Sequence, residues 1–271
     1  MEEKMDLSEL IQVWDKLSPG IRVPLAIVLG LLAICAVVSI VVSIYLSISY
    51  HRYNKQENSV GMTGEAIARR VLDQHGLSNI QVKSSGSLLF GNSYSHYFHK
   101  VRLRRLTWKK TSVSSLAMAV QKSCLAVLDK EQDPDMVKRV KLTPIIYFGP
   151  IACLPLIIIG AVLDAIVLNT NGVATIGGVV IGLAMYVISF IMSIMVLKTE
   201  KKAQERAYQV AREESLATED EIDDMKALFR LYNIEYINNM ITALLELLLR
   251  ILMIFAKAEL KNNSSSSSSS K

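Results

Sequence analysis

Apolar residues in this chain of 271 residues gather into four long runs, with two polar blocks between them. The runs are residues 21–48, 144–168, 173–197 and 237–256. Each is long enough to cross a bilayer as a helix, at roughly 20 residues per crossing. The flank before the first run is acidic, and His51, Arg52 and Lys55 follow it. A secretory signal peptide has the opposite polarity, so this run reads as a retained anchor. Asn169-Thr170-Asn171-Gly172 joins the second and third runs into a helical hairpin. Pro144, Pro150 and Pro155 are expected to kink or delay the start of the second run, and Gly177, Gly178 and Gly182 permit close packing of the third. Glu246 and Arg250 sit four apart in the last run and can pair across one helical turn. Ahead of the first run, residues 1–20 carry Asp6 and Glu9 at capping-box spacing, then Leu7, Leu10, Ile11, Trp14 and Leu17 on one face. They predict a short amphipathic helix lying on the membrane surface.

The periodicity changes in residues 52–142. Met62–His75 has helical spacing with Gly76 as its stop. Asn79–Lys83 alternates as a strand does, and Leu88-Leu89-Phe90 forms a short apolar run between turns. Tyr97–Arg104 alternates again, which predicts Tyr97, His99, Val101 and Leu103 on one side and sets His96 and His99 on opposite faces. Residues 112–128, SVSSLAMAVQKSCLAVL, then recur at helical spacing through Val113, Leu116, Val120, Cys124 and Val127. A helix this apolar belongs inside the polar block, not on its surface. Gln121 and Leu125 lie on one of its faces, one turn apart. The second polar block, 198–236, reads as a charged continuation of the third span followed by a helix start at Thr218, with Glu221 three residues on. Residues 257–271 end in a serine run and are expected to be disordered. The fold class predicted is an α-helical membrane protein with four transmembrane helices and a small cytoplasmic α+β domain.

Composition agrees: 51% of residues are hydrophobic, and the formal net charge is +5. Residues 52–142 hold 16 Lys and Arg against 7 acidic residues, which places this block on the cytoplasmic side and, with four spans, both termini outside. The basic run Arg102, Arg104, Arg105, Lys109 and Lys110 points to anionic lipid headgroups in preference to nucleic acid. No phosphate-binding glycine loop and no serine at a nucleophile elbow is present. The three cysteines have no metal-site spacing, and Cys124 lies on an apolar face where a thiol is inert.

Several runs resemble the YugP-like family of bacterial membrane zinc metallopeptidases, over about Tyr45 to Phe255. Asn58-Ser59-Val60-Gly61-Met62-Thr63-Gly64-Glu65, continuing to Leu72 and then His75-Gly76-Leu77, is similar to the family's opening NSSGMTGxEVARxIL…NGL. Ser95-His96-Tyr97 with Val101-Arg102-Leu103 resembles its DHYDP…VRLS strand, and Ser112–Val120 resembles its SIAAIAVAA. In the family that last run leads into HEVGHAIQ, the zinc-binding helix of a zincin-like domain. Here it leads into Gln121-Lys122-Ser123-Cys124-Leu125. The resemblance thus implies that the first zinc histidine is replaced by Gln121, the general base by Lys122 and the second histidine by Leu125, with Glu200 as a vestigial third ligand. It implies a catalytically inactive homologue without the family's zinc, in a bacterial cytoplasmic membrane, acting on protein partners as a complex subunit, regulator or client holder. The alternative is an active zinc metallopeptidase with unrecognised metal ligands.

Overall fold

The computed structural model describes residues 14–86, 91–164 and 173–268. Its elements in chain order are α1 (Pro19–Lys55), α2 (Gly64–Gln74), β1 (Gln81–Ser85), β2 (Ser93–Ser95), β3 (Lys100–Arg104), α3 (Arg105–Lys109), α4 (Val113–Lys130), α5 (Pro134–Val162), α6 (Val173–Glu213) and α7 (Glu219–Ser268). The residues 1–13, the Leu88–Phe90 run and the 169–172 turn of the sequence reading lie outside the described residues.

The expectation of four transmembrane helices is corrected. Among the described residues three helices are long and apolar enough to cross a membrane: Pro19–Lys55, Ile176–Glu213 and Glu219–Met253. The run not among them is the predicted 144–168 run, which lies in the later part of α5 (Pro134–Val162); residues 165–168 of it lie outside the described residues. The placement of both termini outside depended on an even number of crossings and loses that support.

The chain divides into two compact units, Met1–Ile44 with Ile234–Lys271, and Tyr45–Asn233. In the first, the N-terminal part of α1 packs on the C-terminal part of α7 through two small apolar clusters, Leu17, Leu25 and Ala256, then Val28, Cys35 and Leu245. Asn238 adds a polar tie, its amide donating to the Cys35 carbonyl at 3.3 Å and to Ser39 Oγ at 2.6 Å. Such bonds help specify helix pairing where lipid supplies no hydrophobic drive. Glu246 and Arg250, in contrast, form no ion pair among the described residues, and both are exposed on α7.

The second unit holds the main core. Val101 and Leu103 of β3, Ile67, Val71 and Leu72 of α2, Leu116 and Val120 of α4, Ala203, Ala207 and Val210 of α6, and Met225 and Phe229 of α7 are all buried together. The sheet has order β1-β3-β2, with β1 parallel and β2 antiparallel to β3. Alternation along Lys100–Arg104 turns Val101 and Leu103 inward, as the sequence pattern predicts. Local signals also hold at helix ends. Thr63 caps α2, His75 closes it, and Gly76 follows at φ 65°, a left-handed conformation that glycine adopts without strain. The Thr218–Glu221 box forms, with the Glu221 carboxylate accepting from Thr218 N at 2.8 Å. Gly64 starts α2 so close to α3 that a Cβ there would overlap the Thr107 carbonyl.

The strand predicted over Tyr97–Arg104 is shorter than expected. Residues 96–99 form a turn with His99 at φ 45°, so extended alternation begins only at Lys100. His96 and His99 therefore do not oppose one another across a strand. Their ring centroids lie 6.0 Å apart.

Truncating Leu116, fully buried on α4, to alanine is expected to destabilise the second unit by about 2–5 kcal/mol through the lost packing and the cavity left behind. Leu106→Ala, at an exposed position, should change stability by no more than about 0.5 kcal/mol. Urea pulse proteolysis of the detergent-solubilised chain measures both.

Candidate functional site

α4 is the centre of the second unit. Ser112 caps it, its Oγ accepting from Ser115 N at 3.3 Å. Thereafter nearly every side chain from Val113 to Asp129 is buried, so apolar residues do not form one stripe but surround the helix. A helix that is apolar all round must be enclosed by neighbours, and α2 and α6 pack along it. Polar side chains in such a helix need partners, and Gln121 and Lys122 find theirs on the same carboxylate.

That carboxylate is Glu200 of α6. Gln121 Nε2 donates to Glu200 Oε2 at 2.8 Å, and Lys122 Nζ donates to the same oxygen at 2.8 Å. Arg139 Nη2, from α5, donates to Glu200 Oε1 at 2.9 Å. The side chains of Lys122, Arg139 and Glu200 are only 12, 17 and 18% exposed. Three helices thus meet on one anion flanked by two cations. At this depth each unpaired charge costs several kcal/mol, and the cluster is stable only because the charges offset one another and share hydrogen bonds. The two cations exceed the single anion, and Arg139 Nη1 is buried with no hydrogen-bond partner. A second layer of ion pairs reinforces the same junction, with Lys202 bridging Asp133 at 2.9 Å and Asp135 at 2.5 Å, and Lys198 meeting Asp135 at 3.0 Å. These hydrogen bonds hold the Asp135 carboxyl below the ordinary range.

The sequence-predicted positions separate into two groups. Gln121, Lys122 and Glu200 come together. Leu125, one turn on, is fully buried in the apolar core. Arg139 escaped the sequence reading. It lies in no motif and shares no element with its partner, 61 residues away in the chain.

A second polar cluster, also unpredicted, lies at the C-terminal end of α4. Asp129 Oδ2 accepts from the Tyr94 hydroxyl at 2.5 Å and lies 2.6 Å from His96 Nδ1. Burial, then the hydrogen bond to Asp129, pushes the Tyr94 phenol well above its ordinary range, so it stays protonated. Burial also pushes the Cys124 thiol up, which leaves it without nucleophilic character at neutral pH. The Asn58–Thr63 run is a turn, with Gly61 at φ 61°. It is closed by Asn58 Nδ2 on the Met62 carbonyl at 2.8 Å and anchored where Ser59 N and Oγ each donate to Glu221 at 2.6 Å. Among the described residues no group of three His, Cys, Asp or Glu side chains is arranged to hold a metal ion.

Glu200→Gln is expected to destabilise the second unit by about 3–5 kcal/mol, because it strands Lys122 and Arg139 as buried charges with no counter-ion. Lys122→Met, which removes one cation and leaves Arg139 and Gln121 on the carboxylate, should cost much less. Thermal unfolding of the detergent-solubilised variants, side by side, distinguishes the two.

The family description "Putative neutral zinc metallopeptidase" matches residues 28–256. The chain is also similar to "Putative membrane protease YugP" of Bacillus subtilis (strain 168), with 26% identity over 214 residues, 79% of this chain and 90% of that protein. No solved structure matches. The match spans both units of the fold and leaves out only the two ends, so the chain belongs to the "Putative neutral zinc metallopeptidase" family.

Proposed function

We propose that this chain is a catalytically silent family member that works by binding, as a subunit or regulator of a membrane complex or as a holder of a membrane-protein client. In this reading Gln121, Lys122 and Leu125 stand where active relatives carry the HExxH histidines and glutamate, and Glu200 is the remaining ligand.

One observation carries the reading: both oxygens of Glu200 are already engaged, by Lys122 and Gln121 on one side and Arg139 on the other. A catalytic zinc site takes three protein ligands and a water. This cluster supplies one carboxylate, one weakly ligating amide and two cations that repel a metal, while Leu125 supplies no donor atom. The residues do not fit zinc. Lys122 does not replace the missing base either, since its ammonium donates to Glu200 and has no lone pair to accept a proton. The excess of 16 basic over 7 acidic residues in 52–142 supports a cytoplasmic position for the α/β region in a bacterial membrane.

The purified chain is expected to carry no stoichiometric zinc by elemental analysis and to show no chelator-sensitive proteolysis. Stoichiometric zinc together with such proteolysis overturns the reading. The combined Gln121→His, Lys122→Glu and Leu125→His variant should acquire one zinc per chain, and adding Glu200→Ala should remove it. Mild-detergent purification with mass spectrometry should recover a protein partner, and repeated purification of the chain alone counts against a complex subunit.

A further inference from the structure

The outward face of the three-stranded sheet carries a charge pattern that the fold does not need. Lys100, Arg102 and Arg104 alternate along the central strand β3, opposite in sense to the inward Val101 and Leu103. Lys83 of β1 sits directly across from Arg102 in the parallel register. The other partners in register are neutral: Gln81 faces Lys100 and Ser85 faces Arg104 from β1, while Ser93 and Ser95 face Arg102 and Lys100 from β2. No Asp or Glu occurs in any of the three strands. None of the four cations forms an ion pair among the described residues.

Like charges placed directly opposite on neighbouring strands destabilise a sheet. At Glu200, Asp133 and Asp135 the unit pairs its cations with carboxylates. Here it does not, and the repulsion is felt: desolvation together with the Arg102 and Lys83 charges lowers the affinity of Lys100 for its proton. An exposed aromatic borders the same face. Phe98, in the turn before β3, is 65% exposed, and Lys100 Nζ lies 4.4 Å from its ring centroid. A cation–π contact of this kind is worth about 0.5–1 kcal/mol at an exposed site, and it holds the ring beside the basic face.

We infer that this sheet face, Lys83, Lys100, Arg102 and Arg104 with Phe98 at its border, docks on the anionic phospholipid headgroups of the membrane in which the chain is anchored. Clustered cations are drawn to an anionic leaflet. Aromatic side chains favour the level of the headgroups, where an apolar ring leaves water without entering the hydrocarbon. The membrane is favoured over a nucleic acid because the described residues include three bilayer-length helices, so the lipid surface is present at high effective concentration, and because Phe98 is the ring set against these cations while the neighbouring exposed Tyr97 turns its hydroxyl to the Val140 carbonyl, which gives no stacking track of the kind single strands use. The inference stands apart from the fate of the zinc site, since none of these residues touches Glu200.

Lysine acetylation footprinting of the full chain in nanodiscs tests it, and needs no variant for its main comparison. Lys83 and Lys100 are expected to react at least about tenfold more slowly in discs containing about one-third phosphatidylglycerol than in pure phosphatidylcholine discs. Protection should vanish in about 0.5 M NaCl, where the Debye length is shorter than the face. Exposed Lys226, paired with Asp223 on α7, serves as the internal reference and should not change. Arg102→Glu with Arg104→Glu should abolish protection of Lys83 and Lys100 and leave Lys226 as before. Equal rates in the two disc types overturn the inference. So does protection that appears only when single-stranded RNA is added to neutral discs.

Discussion

The second unit depends on one buried carboxylate. Glu200 draws together α4, α5 and α6 by accepting from Gln121, Lys122 and Arg139. A charge enclosed by helices is tolerated only with a counter-charge, and the counter-charge here is part of the chain. In a metallopeptidase of the HExxH kind a metal cation cross-links the helices that supply its ligands. In this chain an ammonium and a guanidinium supply the positive charge, and the junction is closed by side chains that fold with it. Metal affinity and folding are normally coupled where ligands are spread over several helices. In the proposed reading, Lys122 and Arg139 remove that coupling.

Around this point the rest of the unit is arranged to keep α4 enclosed. α2 and β3 cover it with Ile67, Val71, Val101 and Leu103, while α6 and α7 contribute Ala203, Ala207, Met225 and Phe229. The small alanines of α6 let it approach closely, which is how a carboxylate one turn earlier reaches Gln121. The Asn58–Thr63 turn and its Glu221 anchor tie the start of α7 to the α/β region. In the reading proposed above, the segments that resemble the family build the scaffold, and Gln121, Lys122 and Leu125 stand where the metal-binding residues would be.

Much of this was legible in the sequence because it rests on local rules. The α4 periodicity, the Thr218 cap, the Gly76 stop and the inward Val101 and Leu103 each depend on residues within a few positions of one another. The failures share a different cause. The expected bounds of the second apolar run missed because a run of apolar residues says nothing of where its helix begins, and α5 starts at Pro134. The opposed placement of His96 and His99 went wrong because one residue at positive φ turns an alternating pattern into a turn. Arg139 and Asp129 could not be singled out, since each joins its polar cluster only through a partner brought from another element. The unpaired character of Lys83, Lys100, Arg102 and Arg104 was half visible. A basic run could be read from the sequence, but only the strand register places Lys83 beside Arg102 and leaves Arg105 and Lys109 to α3.

In the proposed reading, internal cations have taken over the place of a metal. Its most direct test is the thermal unfolding midpoint of the native chain before and after exhaustive treatment with a high-affinity zinc chelator. If Lys122 and Arg139 neutralise Glu200, the midpoint stays where it was and no zinc is released. A lower midpoint with release of about one zinc per chain, reversed by adding zinc back, would contradict the account, because a structural metal stabilises only the folded state that binds it.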